Sequence, residues 1–448
     1  MFSIDGPINS GARLVMPMPA RMGGQGYMPY IFTGPEDELL ACRDTAWFGC
    51  FLNTSPVYDL SGPDAVKLLN YVTVNRDYAK LKVGGSRHAI LCNEQGQMLA
   101  DGVLMRKEEN LYRTYWLAPA LAYYVDTLGM DVHGEWLLGK EFFFQIDGPK
   151  SLEIMEEAAQ EDLHDLKFAQ HKNITVAGIP STIHRLGMSG ALAYEMHGDM
   201  KDAEAFYDAV VKVGEKYGMK RLGFSTYCRN HTQGGYPNQW IHYWYPLLES
   251  GPELASYVAQ CPFRIGMAHN FAGSATDDIQ NAFVTPYDVK WEYLINWDHD
   301  FIGKEALAEI DKNPPRTCVT LEWDAEDVGR VYATQFMGTG TATVDPFAGT
   351  GDGGDMQFVM SKVLDSSGAM VGVATGRTQD FYHKKMISLA FVNRDQAELG
   401  NELTVVWGTD PAAQLPIKAT VAEFPYYNEE YRNETFDVEK IPHPVFED

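Results

Sequence analysis

The hydrophobic positions fall into short runs with two different periods, and their order predicts alternating strands and helices. His88 to Cys92 and Met98 to Met105 are apolar runs separated by Asn93-Glu94-Gln95-Gly96. Gly96 can take the positive φ that such a turn demands, so the segment predicts a β-hairpin with Asp101 on its second strand. Phe142 to Ile146, Ile174 to His184 and Ala193 to His197 predict further strands, whereas Met200 to Tyr217 places Ala203, Phe206, Ala209, Val210 and Val213 at helical spacing. One short sequence recurs, as Ser61-Gly62-Pro63-Asp64-Ala65-Val66-Lys67-Leu68-Leu69 and as Asp147-Gly148-Pro149-Lys150-Ser151-Leu152-Glu153-Ile154-Met155. Each copy predicts a strand running into a helix, with Ser61 or Asp147 as cap and proline early in the helix, where its missing N–H is harmless. Two such units predict a duplicated α+β architecture. From Arg316 onward, short apolar runs alternate with glycine turns, as in residues 362–373, which predicts a C-terminal β-barrel after a Pro314-Pro315 linker.

The 448 residues exceed one hydrophobic core, which rarely grows past about 250–300 residues, so two or three domains are expected. With 45% hydrophobic and 22% charged residues the chain can bury such cores. Its 36 basic against 61 acidic side chains give a formal charge of -25, which excludes nucleic acid and anionic membrane as main partners. Six scattered cysteines, without a C-x-x-C pair or a neighbouring histidine at ligand spacing, predict reduced buried thiols and no metal site. The first residues hold no basic-then-apolar leader and no run of about 18 apolar residues occurs, so a soluble, cytoplasmic protein is expected.

The chain contains no G-x-S-x-G elbow, H-E-x-x-H helix or G-x-G-x-x-G turn. The glycine-rich stretch Ala348 to Asp355 lacks the Gly-Lys-Ser/Thr of a phosphate loop and the repetition of calcium motifs, and is expected to be a hairpin loop. Tyr236 to Pro246 carries five aromatic rings and a histidine, too aromatic for an ordinary solvent loop. Such a cluster fills a core or an interface as readily as it lines a pocket, and a lone His242 is as readily structural.

Three segments, taken together, resemble the aminomethyltransferase (glycine cleavage T-protein) superfamily: Val57 to Leu69, the hairpin Asn93 to Asp101, and Asp300-Phe301-Ile302-Gly303-Lys304-Glu305-Ala306-Leu307. The likeness runs in order from about residue 45 into the C-terminal barrel. It implies a three-domain cloverleaf around a tetrahydrofolate site: an N-terminal extension over 1–45, duplicated folate-binding α+β domains over 46–313, and a β-barrel over 316–448. Within the superfamily the chain is more similar to the tetrahydrofolate-dependent aromatic O-demethylases that act on vanillate and syringate. It shares their extension and the aromatic insertion over 236–278, after which the register resumes at Asn296-Trp297-Asp298-His299.

The resemblance implies roles for particular residues. Gly187 to Glu195 matches the motif that ends in the pterin-binding glutamate, so Glu195 is expected to accept from two pterin N–H groups, with Tyr194 and Trp240 beside the cofactor. Asp101 matches the second aspartate of the family hairpin, Ala100 replacing the first, and would stabilise the cation that forms at folate N5; without the family it is a polar residue on a strand. The implied activity moves a methyl group from a methoxyarene to N5 of tetrahydrofolate, releasing a phenol. The leaving phenolate needs a proton donor, for which Tyr30, His242, Tyr243 and Glu249 are candidates. Tyr236, Trp240, Trp244 and Tyr245 would wall the ring, and Arg113 or Arg229 would meet a substrate carboxylate. Tyr227 to Gly235 lacks the charges of the T-protein helix, and no Lys-Gly-Cys motif of the iron–sulfur branch is present. Glycine-cleavage aminomethyltransferase and non-catalytic folate binding remain the alternatives.

Overall fold

Both copies of the echoed sequence fold into the same strand–turn–helix corner in the computed structural model, which describes residues 2–17, 26–263, 270–345, 357–427 and 432–446. The strands Tyr58–Ser61 and Glu141–Asp147 each end at a glycine with positive φ, Gly62 at 123° and Gly148 at 132°. The backbone of an incoming segment fills the space a side chain would take: a Cβ on Gly62 would lie 2.6 Å from the Asp131 carbonyl oxygen, and one on Gly148 2.5 Å from that of Thr45. Two residues on, the Asp64 and Lys150 N–H groups donate to those same carbonyls, at 3.1 and 2.9 Å. The helices Ala65–Val72 and Ser151–Ala159 follow. The prolines therefore sit in the turn before the helix, and the cap positions are Asp64 and Lys150 instead of Ser61 and Asp147, which strand pairing keeps extended.

The first unit carries an antiparallel five-stranded sheet in the order Ser86–Cys92, Met98–Glu108, Leu111–Tyr115, Tyr58–Ser61 and His133–Trp136. The second carries six strands in the order His171–Val176, Ile179–His184, Ala193–Asp199, Glu141–Asp147, Trp47–Gly49 and Lys220–Leu222, the last pair parallel. The third lobe is a closed six-stranded barrel formed between Arg316 and Ala422. The segments that carry the family likeness meet in space: a Cβ on Gly303 would lie 2.4 Å from the Asn93 carbonyl oxygen, and Leu307 packs over Gly96 in the hairpin turn.

The chain ends are built into the second unit. Phe2 and Ile8, together with Phe436, Val438 and Ile441, are buried with Phe142, Phe144 and Phe206 in one apolar cluster. Residues 432–446 thus leave the barrel and return to the second sheet, where the Arg185 guanidinium donates to the Phe436 carbonyl at 2.7 Å and the Asn433 amide donates to the Ala193 carbonyl at 3.2 Å. All six cysteines are buried free thiols. Among the described residues no helix is long and apolar enough to cross a membrane. The glycine-rich stretch 348–355, and residues 264–269 of the aromatic insertion, lie outside the described residues.

The corner geometry makes Gly148→Ala costly, by about 3 kcal/mol or more from left-handed strain plus overlap with the Thr45 carbonyl. Gly329, inside the helix Ala325–Ala333 with open space around it, gives the opposite sign: Gly329→Ala stabilises by about 0.5–1 kcal/mol. Urea denaturation of both variants checks the pair.

Candidate active site

Asp101 lies on Met98–Glu108 opposite Ile90, so His88, two residues before Ile90, shares its face of the hairpin. The His88 Nε2 donates to Asp101 Oδ2 at 2.9 Å. Two phenols reach the other oxygen from the aromatic insertion: Tyr243 and Tyr245 both donate to Oδ1, the latter at 2.5 Å, while the Asp101 N–H donates to the Tyr245 oxygen at 2.7 Å. These tyrosines are two residues apart, and Trp244 between them turns away onto Phe271 and Phe358. Burial, reinforced by the Asp101 charge, pushes both phenols well above their ordinary range, so they stay protonated donors. Beside this cluster His88 meets Trp291 edge-on at 4.6 Å, and the Tyr236 ring packs on Trp291 at 5.3 Å with its hydroxyl 3.5 Å from His88 Nδ1.

The second sheet presents a polar face toward the same region. Cross-strand register aligns Gln145, Glu195 and His184 in one row, and His197 follows Glu195 at the period-two position. Gly187 keeps the row open, since a Cβ there would lie 2.2 Å from that of Ala193 and 3.1 Å from both the Asp147 Oδ2 and the Gln145 Nε2. Burial raises the Glu195 carboxyl to about 7 and the Asp147 carboxyl to about 8, and lowers the His184 imidazole to about 3. Both side-chain amide atoms of Gln145, His197 Nε2 and Asp147 Oδ1 are buried without a hydrogen-bond partner, while His197 Nδ1 faces the Glu141 carboxylate at 3.6 Å. Such a run of unmet donors and acceptors is what a flat polar heterocycle would satisfy. The two clusters share one electrostatic region: Tyr236, raised chiefly by burial, feels the charges of both Asp101 and Glu195.

Several candidates take other posts. Both His242 nitrogens are used, Nδ1 accepting from the Asn238 N–H at 3.0 Å and Nε2–H donating to Thr232 Oγ1 at 3.0 Å, so it is a structural histidine whose one hydrogen is already engaged. Arg113 is spent on two carboxylates, gripping Asp59 through two nitrogens at 2.7 and 2.8 Å and Glu141 through the third, and cannot serve a substrate acid. Tyr194 points into the second core, because strand alternation opposes it to Glu195. Tyr30 packs on Phe224 at 6.1 Å in a core, Glu249 is exposed, and the Arg229 Nε donates to the Ser225 carbonyl at 3.2 Å.

Trp240 and Trp116 both adopt left-handed backbone, φ 66° and 70°, a conformation that costs such residues about 1–3 kcal/mol each and is tolerated where function fixes it. Their rings meet at 5.4 Å and, with Ala100, Trp244, Tyr245 and Phe263, close an aromatic crevice of about 10 Å³, the space of a single water, next to Asp101. His88, Gln145, His184, Trp116 and Trp291 were not among the residues the sequence singled out. The hairpin register alone carried a signal for His88, because an unbulged turn at 93–96 sets His88 opposite Asp101; the irregularity between Leu91 and Cys92 moves the observed partner of Asp101 to Ile90 and leaves His88 on the same face.

The chain has relatives among known proteins. A family model described as the GCVT N-terminal domain matches residues 25–238. The chain is similar to a sesamin methylene transferase of Sinomonas sp., 41% identical over 94% of this chain and 95% of that one. It is also similar to a syringate O-demethylase of Sphingobium sp., 28% identical over 82% and 83%. Among solved structures, the glycine cleavage system aminomethyltransferase T from Bartonella henselae superposes with a TM-score of 0.65 at 17% identity, covering 95% of this chain and 98% of that one.

The ion-pair post of Arg113 predicts a stability effect. Arg113→Met leaves Asp59 and Glu141 as unpaired, largely buried acids and destabilises the protein by about 3–5 kcal/mol in urea denaturation. A substrate-binding arginine would instead raise KM at unchanged stability.

Proposed function

The chain belongs to the aminomethyltransferase superfamily and is a one-carbon transfer enzyme, and from that premise we propose that it moves an ether-bound carbon from an aryl oxygen to N5 of tetrahydrofolate. The observation that carries this proposal is the Asp101 carboxylate, held by three donors beside an aromatic crevice and across from a neutral polar face. Glu195 and Gln145 are the residues proposed to hold the pterin, whose adjacent N–H donors and acceptors match the orphaned Gln145 amide and the Glu195 carboxyl, which among the described residues His184 alone meets, at 3.2 Å. The folate supplies a nucleophilic nitrogen that accepts the carbon.

Asp101 is proposed to stand beside that nitrogen and stabilise its positive charge, an interaction enlarged where water is excluded. Tyr243 and Tyr245 keep the carboxylate aimed, and their raised phenols hold their protons throughout. Tyr236 and Trp291 are proposed to flank the ring, with the Tyr236 hydroxyl, which is bonded to no carboxylate, facing the leaving oxygen.

Two donors fit this chemistry. A methoxyarene would yield a phenol and 5-methyltetrahydrofolate. A methylenedioxyarene would yield a catechol and 5,10-methylenetetrahydrofolate, which the similarity to the sesamin methylene transferase across almost the whole chain favours. Incubating the protein with tetrahydrofolate and panels of both arenes, then weighing the folate product, decides between them. Release of ammonia from an aminomethyl-lipoyl carrier protein, with no arene consumed, overturns the proposal. Asp101→Asn is expected to lower kcat by about 10²–10³-fold, measured in single turnover.

A further inference from the structure

His184 joins the two units at the polar face. Its Nδ1 lies 3.2 Å from Glu195 Oε2 and its Nε2 lies 2.7 Å from Ser86 Oγ, on the first sheet. Ser86 Oγ is in turn 2.9 Å from the Ala169 carbonyl, and only the hydroxyl has a hydrogen to give in that contact. Ser86 therefore donates to Ala169 and turns a lone pair to His184, so Nε2 carries the imidazole hydrogen. Burial keeps this imidazole neutral, so Nδ1 is an acceptor. The hydrogen between Nδ1 and Oε2 then belongs to Glu195.

We propose that His184 is a positioning residue that keeps Glu195 a neutral acid in the empty site, and that seating a pterin expels this proton and reverses the hydrogen bonds along Ser86, His184 and Glu195. This rests on the proposal that Glu195 grips the pterin. A protonated carboxyl has one donor and one acceptor edge and cannot meet two adjacent N–H groups; a carboxylate can.

The reversed state leaves nothing unsatisfied. His184 then offers Nδ1–H to the carboxylate, and the Ser86 hydroxyl swings to Nε2, while the Ala169 carbonyl keeps the Ser86 backbone N–H at 2.8 Å. No fixed cation faces Glu195 among its described neighbours. These are His184, Gln145 and Asp147 on adjacent strands, His197 on its own, Tyr227 from the helix Phe224–Gly234, and Tyr236. Lys107, which depresses His184, is turned to the Thr182 hydroxyl at 2.8 Å. The folded-state carboxyl is raised, so the expelled proton makes folate binding weaken about tenfold per pH unit below about 7 and level off above it.

Calorimetric titration of the full chain with tetrahydrofolate, without oxygen, in two buffers of different ionisation enthalpy reads the proton directly. About one proton released per folate below the Glu195 midpoint, and none well above it, is the expected result; identical heats in both buffers overturn the inference. His184→Asn places a fixed amide donor where Nδ1 stands, so the buffer difference should vanish and affinity should become flat with pH. Titration like the parent overturns the inference. Should that variant not fold, Ser86→Ala, which frees the imidazole to take the other tautomer, should move the midpoint down, and an unmoved midpoint counts against the inference. Glu195→Gln separates the layers: unchanged folate affinity removes the pterin proposal itself, whereas lost affinity beside a parent-like His184→Asn removes only the proton coupling.

Discussion

A single carboxylate accepting three hydrogen bonds ties the aromatic segment after residue 236 to the first sheet. Among the described residues no arginine or lysine pairs with Asp101; two phenols and an imidazole meet its oxygens instead. A buried carboxylate left without donors costs several kcal/mol, so the two tyrosines and His88 supply what the fold needs to bury Asp101. The same two rings are part of the first apolar core. Their packing fixes where their hydroxyls fall, and the carboxylate fixes where the insertion turns. The aromatic crevice, the stance of His88 and the position of Tyr236 all follow from this joint.

The two carboxylates of the site are treated in opposite ways. Asp101 is surrounded by donors, whereas burial pushes Glu195 and Asp147 toward neutrality. Environment, not residue type, assigns the two parts.

Much of the frame was legible in the sequence. The hairpin around Gly96, the strand of Glu195, the helix after Ala203, the duplicated corners and the terminal barrel all rest on local period and turn chemistry, and the fold follows them. The errors came where local pattern is silent. Pro63 and Pro149 read as helix starts because sequence does not show that a distant carbonyl occupies the turn. Arg113 read as a free cation because Asp59 and Glu141 approach it only through strand pairing. His242 and Tyr243 are neighbours in an aromatic run, yet one ring is consumed by backbone and threonine and the other meets Asp101, a difference set by irregular chain that no periodicity describes. Tyr194 could have been placed correctly, since alternation about Glu195 already assigns it to the core side.

The return of residues 436–441 onto the sheet that carries Glu195 has a bearing on biosynthesis. That core draws its members from opposite ends of the chain, with Phe2 at one extreme and Ile441 at the other. During translation its central strands emerge long before the aromatic and aliphatic groups that must cover them, and the intervening lobe has to be made first. The second unit therefore has apolar surface left to cover until Phe436, Val438 and Ile441 are made.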